Sequence, residues 1–174
     1  MNSKKAKNNS IENFLNNNSN KEVVVVQGLG FVGSVMSIVC ANALKGDFAV
    51  IGVELPNNNG RKIIKSLNNG KFPLSAEDPK IDEFYNRSII KGNFFATNDT
   101  NAYKFADIII VDVNLDVNKV NDKFGKLDKY NVDISPFKKA IKVIGQNCKE
   151  DALILVETTV PPGSCEKIVK PIIL

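Results

Sequence analysis

An α/β fold is predicted: a doubly wound parallel sheet with helices on both faces, three layers in all. Three observations predict it. Short apolar runs alternate with segments of helical periodicity. The runs are rich in β-branched residues and unbroken, as strands buried on both faces require. The first of them ends in a glycine-rich turn that opens a helix.

Val23-Val24-Val25-Val26 is the first strand. A helix over 31–45 follows, with Val32, Val35, Met36, Val39, Cys40 and Ala43 as its apolar face. Residues 48–53 form the second strand. A helix near 60–68 is stopped by Asn69-Gly70, and another is expected over 78–90. Phe94-Phe95-Ala96 is a short third strand and Ile108-Ile109-Ile110-Val111 a fourth. Residues 114–132 are polar and read as a loop. Ser135-Pro136 reads as an N-cap followed by proline in the first helical turn, and Phe137, Ala140, Ile141, Ile144 and Cys148 give that helix its buried stripe. Residues 152–156 are the fifth strand, and a last helix starts near Gly163. The Asn- and Lys-rich residues 1–21 read as a mobile extension carrying at most one short helical turn.

The chain has 174 residues, 43% of them hydrophobic and 24% charged, enough for one domain with a real core. Residues 22–174 are taken as that domain. No apolar run reaches the roughly 18–20 residues of a membrane span, and the N-terminus has no apolar signal stretch. The expectation is a cytoplasmic chain with no membrane contact. A net charge of +4, with lysines dispersed among acids, argues against nucleic-acid binding. There is no histidine, which excludes a Ser-His-Asp triad, a His-bearing zinc site and a histidine base within this chain. Cys40, Cys148 and Cys165 have no metal-binding or disulfide spacing, so no metal is expected.

Between the first strand and helix, Gly28-Leu29-Gly30-Phe31-Val32-Gly33 fits G-x-G-x-x-G. The first glycine makes the tight turn, the second lets the backbone approach a pyrophosphate, and the third lets helix and strand pack closely. The helix N-terminus offers free N–H groups and a positive dipole end to the phosphates. Glu54 ends the second strand, where an acid hydrogen-bonds the adenosine ribose hydroxyls. Its charge repels a 2′-phosphate and favours NAD over NADP. Arg61 nearby either tolerates a phosphate or stacks beside the adenine. The competing reading is a ligand-free glycine turn with a surface glutamate.

VVVVQGLGFVGS, VIGVEL, NNGKFPLSAEDP, ATND followed by AYKFADIIIVDV, DISPFKKAIKVIG and LILVETTVPPGS occur in one order. Over residues 22–174 that series resembles the N-terminal NAD-binding domain of the UDP-glucose/GDP-mannose dehydrogenase family, in a form closer to its bacterial UDP-N-acetylmannosamine dehydrogenase type. The resemblance implies oxidation of the C6 alcohol of a nucleotide sugar to the carboxylate with two NAD, by way of an aldehyde held on a cysteine and a thioester that is then hydrolysed. Carried over by motif, residues Gly28, Leu29, Gly30, Phe31, Val32 and Gly33 bind the pyrophosphate, Glu54 the ribose, and Val113 touches the cofactor. Thr159, in Thr158-Thr159-Val160-Pro161-Pro162-Gly163, lies near the nicotinamide and helps place water, which makes it the catalytic candidate. Read on its own, the Thr159 hydroxyl fits better as a turn group bonding its own backbone.

Two departures stand out. Where the family reads V-P-T-P, this chain has Val113-Asn114-Leu115-Asp116, so Leu115 replaces a threonine that would face the cofactor; Asn114 and Asp116 are the candidate substitutes. Glu157 stands where a lysine or similar residue is common. The resemblance also implies that the family's catalytic cysteine, central helix and sugar-binding domain lie beyond this chain, which reads as truncated before them. Cys40 and Cys148 read as core residues and Cys165 as structural. The implied partner is a nucleotide sugar bound through that further domain, in a homodimeric enzyme. A free-standing, non-catalytic NAD-binding module is the alternative. A hydroxyacyl-CoA or phosphogluconate type of dehydrogenase fits the Thr-Thr-Val-Pro-Pro-Gly stretch poorly.

Overall fold

A computed structural model describes residues 10–75, 77–115 and 117–174. Five strands, β1 (Glu22–Gln27), β2 (Phe48–Val53), β3 (Phe94–Thr97), β4 (Ile108–Val111) and β7 (Leu153–Val156), pair in parallel in the order β3-β2-β1-β4-β7. All five predicted strands are present. Alternation along β1 sends Val23 and Val25 into one buried cluster and Val24 and Val26 into another on the opposite face. Helices α2 (Phe31–Ala41), α3 (Asn58–Asn68) and α4 (Pro79–Lys91) cover the second face. A 3-10 turn (Thr100–Phe105), α5 (Ser135–Gly145), and a π turn (Cys165–Val169) running into α6 (Lys170–Ile173) cover the first.

The N-terminal reading needs correction. Residues 10–16 form a helix, α1, whose Ile11 is 1% exposed within the first cluster. Phe14 stacks on Phe95 with ring centroids 5.7 Å apart. Asn18 Nδ2 donates to Phe14 O and Gly92 O, each at 3.0 Å. Apolar residues at i, i+3 and i+4 are enough to dock this turn despite its asparagine-rich surroundings. Residues 1–9, the rest of that expected extension, lie outside the described residues.

The expected loop over 114–132 contains an antiparallel hairpin, β5 (Val117–Asn121) and β6 (Leu127–Val132). Its turn is closed by Asp122, whose carboxylate accepts from the N–H groups of Phe124 and Lys126 at 2.9 Å each. Ser135 is not the N-cap of α5; Ile134 flanks the helix, and Asp133 Oδ1 accepts from Ser135 N–H at 2.9 Å. Pro136 sits in the first turn as predicted.

The face assigned to α2 also shifts. Gly33, Ser34, Ser37, Ile38 and Ala41 are buried, while Val32 and Val39 are exposed. Small residues let the helix lie close on the sheet, and Ser34 and Ser37 return their hydroxyls to Leu29 O and Gly33 O at 2.9 and 2.7 Å.

Asp107 ties three strands at the edge opposite the glycine turn. Its Oδ2 accepts from Val23 N–H at 2.7 Å, its Oδ1 from Lys149 Nζ at 2.5 Å, and its carbonyl from Leu153 N–H at 2.9 Å. Burial pushes the carboxyl up, but the Lys149 and Val23 bonds outweigh it and hold the group below its ordinary value. A lowered folded value means stability that is present above the unfolded value and is lost as pH falls through the folded one. Asp107→Ala is expected to cost about 1–2 kcal/mol at neutral pH, most of it from the stranded Val23 N–H, since the lysine pair is partly exposed. The cost should shrink below about pH 4. Denaturant melts of both proteins at neutral and acid pH check this; an equal difference at both pH values contradicts it.

Candidate cofactor site

The C-terminal edges of β1, β2 and β4 open into a cleft of about 930 Å³, within the usual size range of a small-ligand pocket. Gln27, Gly28, Gly30, Phe31, Val32 and Gly33 form one wall, and Val53, Glu54, Leu55 and Pro56 another. Val113, Asn114 and the α5 residues Pro136, Lys139 and Ala140 complete the far side.

The three glycines do different work. Gly28 has φ +94°, and a Cβ there would lie 2.1 Å from Asp112 O. A Cβ on Gly33 would lie 1.9 Å from Gly28 O, which fixes how closely α2 meets β1. At Gly30, which precedes the first turn of α2, a Cβ would meet nothing within 4 Å. The cleft therefore leaves space over the helix N-terminus, where backbone N–H groups can receive a phosphate. These residues fit a dinucleotide.

Glu54 is poised against the same turn. Its Oε2 accepts from Leu29 N–H at 2.6 Å and its Oε1 from Leu55 N–H at 2.7 Å. Gly60, held under the Asn57 cap of α3, lets this wall close, since a Cβ would meet Leu55 O at 2.0 Å. The Leu29 side chain is fully buried over Gly52 and contributes only backbone to the site.

The other predicted residues scatter. Phe31, Val32 and Val113 line the cleft, as does Asn114, whereas Leu115 turns away and packs on the first core cluster. Asp116 lies outside the described residues. Arg61 is exposed in the first turn of α3 and is not among the lining residues. Thr159 is exposed beyond the end of β7, also outside the lining. The structural threonine is its neighbour Thr158, buried, with Oγ1 accepting from Val113 N–H at 2.8 Å and donating to Val111 O at 3.2 Å. It staples β7 to the segment leaving β4. Cys165 is exposed and Cys40 partly buried, with burial first and Glu157 second pushing the Cys40 thiol up.

Sequence reasoning missed Gln27, Asp112 and Lys139. Gln27 accepts the hydroxyl of buried Tyr103 under the floor of the cleft. Asp112 follows the Ile-Ile-Ile-Val strand directly, at the edge where parallel sheets bind ligands, and that position was the available signal. Burial pushes its carboxyl above the ordinary range, and the charge of Glu157 adds to this.

Residues 22–174 match the NAD-binding domain of the UDP-glucose/GDP-mannose dehydrogenase family. The cofactor of such a domain is NAD. The chain is 24% identical over 147 residues to UDP-N-acetyl-D-mannosamine dehydrogenase of Pyrococcus horikoshii, covering 84% of this chain and 31% of that protein. It is 28% identical over 154 residues to protein CapL of Staphylococcus aureus, covering 88% and 30%. Among solved structures, NDP-N-acetyl-D-galactosaminuronic acid dehydrogenase from Methanosarcina mazei Go1 superposes with TM-score 0.74 at 25% identity, over 93% of this chain and 32% of that one. The chain thus spans about a third of the length of these relatives. No helix among the described residues is long and apolar enough to cross a membrane.

Proposed function

Because the chain belongs to the UDP-glucose/GDP-mannose dehydrogenase family, we propose that it is the cofactor-binding part of a nucleotide-sugar 6-dehydrogenase that oxidises the C6 alcohol of a UDP- or GDP-hexose to the uronic acid. The observation that carries this reading is the glycine turn left open at Gly30, with Glu54 beside it, inside a match that runs from residue 22 to 174. Bound NAD supplies the hydride acceptor. The chain's own residues do the holding: the first turn of α2 receives the pyrophosphate, Glu54 takes the ribose hydroxyls, and Lys139 faces the cleft with a compensating positive charge. Thr159, exposed at the C-terminal edge of β7, is assigned to the substrate side, where it would help place water.

Sugar recognition and the nucleophile belong to a further domain. The chain alone is therefore inactive and works as part of a cytoplasmic homodimer that supplies surface-polysaccharide precursors. Titration calorimetry with NAD and NADP, paired with an NADH-formation assay on UDP-N-acetylmannosamine, UDP-glucose and GDP-mannose, tests this. NAD should bind better than NADP, and the chain alone should form no NADH. A preference for NADP, or NADH formation from a simple hydroxy acid, refutes it. Glu54→Gln should weaken NAD about tenfold and narrow its lead over NADP, the loss expected for one charge-assisted hydrogen bond.

A further inference from the structure

The cleft holds one feature that the phosphate-binding role leaves unexplained. Asp112 leaves the end of β4 behind the first turn of α2, and a Cβ on Gly33 would stand 3.2 Å from its Oδ2. That oxygen is buried and has no hydrogen-bond partner, and the residue lines the cleft. A carboxylate here competes with the dinucleotide for the positive end of α2, and its field opposes the pyrophosphate at short range. An unpaired buried acceptor is itself costly, so the neutral acid is the cheaper form in this position.

We propose that Asp112 makes cofactor binding proton-linked: the dinucleotide enters with one proton taken from solvent and held on the Asp112 carboxyl, so affinity falls as pH rises. The inference rests on the NAD reading of the cleft. The charged and titratable neighbours bear it out. Glu157, at the end of β7, adds negative charge and pushes the same carboxyl in the same direction as burial does. Helix α2 carries no charged residue, only the thiol of Cys40. Glu54 has both oxygens engaged by backbone N–H groups. Lys139, from α5, lines the far side of the cleft and serves the bound phosphates from there. Bringing in the negative pyrophosphate raises the carboxyl's affinity for a proton. Between its values in the free and bound protein, the dissociation constant should weaken by up to about tenfold per pH unit.

The test is NAD titration by calorimetry across the range from about pH 5 to pH 8, in buffers of different ionisation enthalpy, on the wild type and on Asp112→Asn. Wild type should take up close to one proton per NAD in the linked window and bind more weakly as pH rises. Asp112→Asn, near in shape and with no bond to lose at Oδ2, should melt no lower, take up no proton, and bind NAD more tightly above that window. Adenosine, which lacks the pyrophosphate, should show no linkage on wild type. NAD binding without proton uptake by the wild type overturns the proposal with no variant needed. So does equal uptake by Asp112→Asn, or equal linkage with adenosine. If neither protein binds NAD at any pH, the cofactor reading fails and this inference with it; binding by Asp112→Asn alone supports it.

Discussion

Replacing Gly33 by alanine is expected to abolish measurable NAD binding and to lower stability by about 1–3 kcal/mol, the usual cost of forcing a methyl group into a packed contact. The added Cβ would lie 1.9 Å from the carbonyl oxygen of Gly28, and that atom is backbone, so no side-chain rotation relieves the clash. Either α2 lifts off β1 or the turn deforms. Both displace the N–H groups that receive the phosphates. Gly30→Ala provides the contrast. Its Cβ meets no protein atom within 4 Å, and the backbone there has φ −65°, which alanine adopts freely. That variant should melt with the wild type yet bind NAD at least about tenfold more weakly, because the methyl group stands where the pyrophosphate approaches. Thermal melts and NAD titrations of the two variants separate a packing glycine from a ligand-facing one. Wild-type affinity in Gly33→Ala, or an equal loss of stability in both, contradicts the assignment.

The parts of this fold that read directly from sequence are those governed by local requirements. A strand buried on both faces has nowhere to place a polar residue, so Val23 to Val26 and Ile108 to Val111 declare themselves. The glycine turn is equally local, since Gly28 needs φ +94° and no other residue type adopts that cheaply. Where the reading failed, partners distant in sequence decide. Helix α2 buries Gly33, Ser34, Ser37, Ile38 and Ala41, with Val35, Met36 and Cys40 only partly covered at the margin, so the buried stripe is rotated from the one hydrophobicity alone pointed to. The hairpin over Val117–Asn121 and Leu127–Val132 has too polar a sequence to signal strands, and its turn is set by one aspartate closing on Phe124 and Lys126. Asp112 is marked in the sequence only by its place just after the Ile-Ile-Ile-Val strand. Its burial against Gly33, 79 positions earlier, is not legible there.

Ile11→Ala is expected to cost about 2–4 kcal/mol, as a large-to-small change at a fully buried position does, and to lower the melting temperature by roughly 5–15 °C in a domain of this size. The whole protein should still unfold in one transition. The reason is that α1 is part of the first core cluster rather than an appendage. Ile11 is 1% exposed, Phe14 stacks on Phe95 of β3, and Asn18 bonds a carbonyl at the end of α4. The cluster holding Ile11 also holds Tyr103, whose hydroxyl donates to Gln27 under the cleft, so this helix supports the floor of the site from below. Cofactor affinity should nevertheless change little, because the glycine turn is fixed by Gly28, Gly33 and Asp112 on the other side of the sheet. Urea unfolding followed by far-UV dichroism, with NAD titration of the folded variant, measures both effects. A variant within about 0.5 kcal/mol of wild type would mean that residues 10–20 hang free of the core, and the packing described for Ile11, Phe14 and Asn18 would then be wrong.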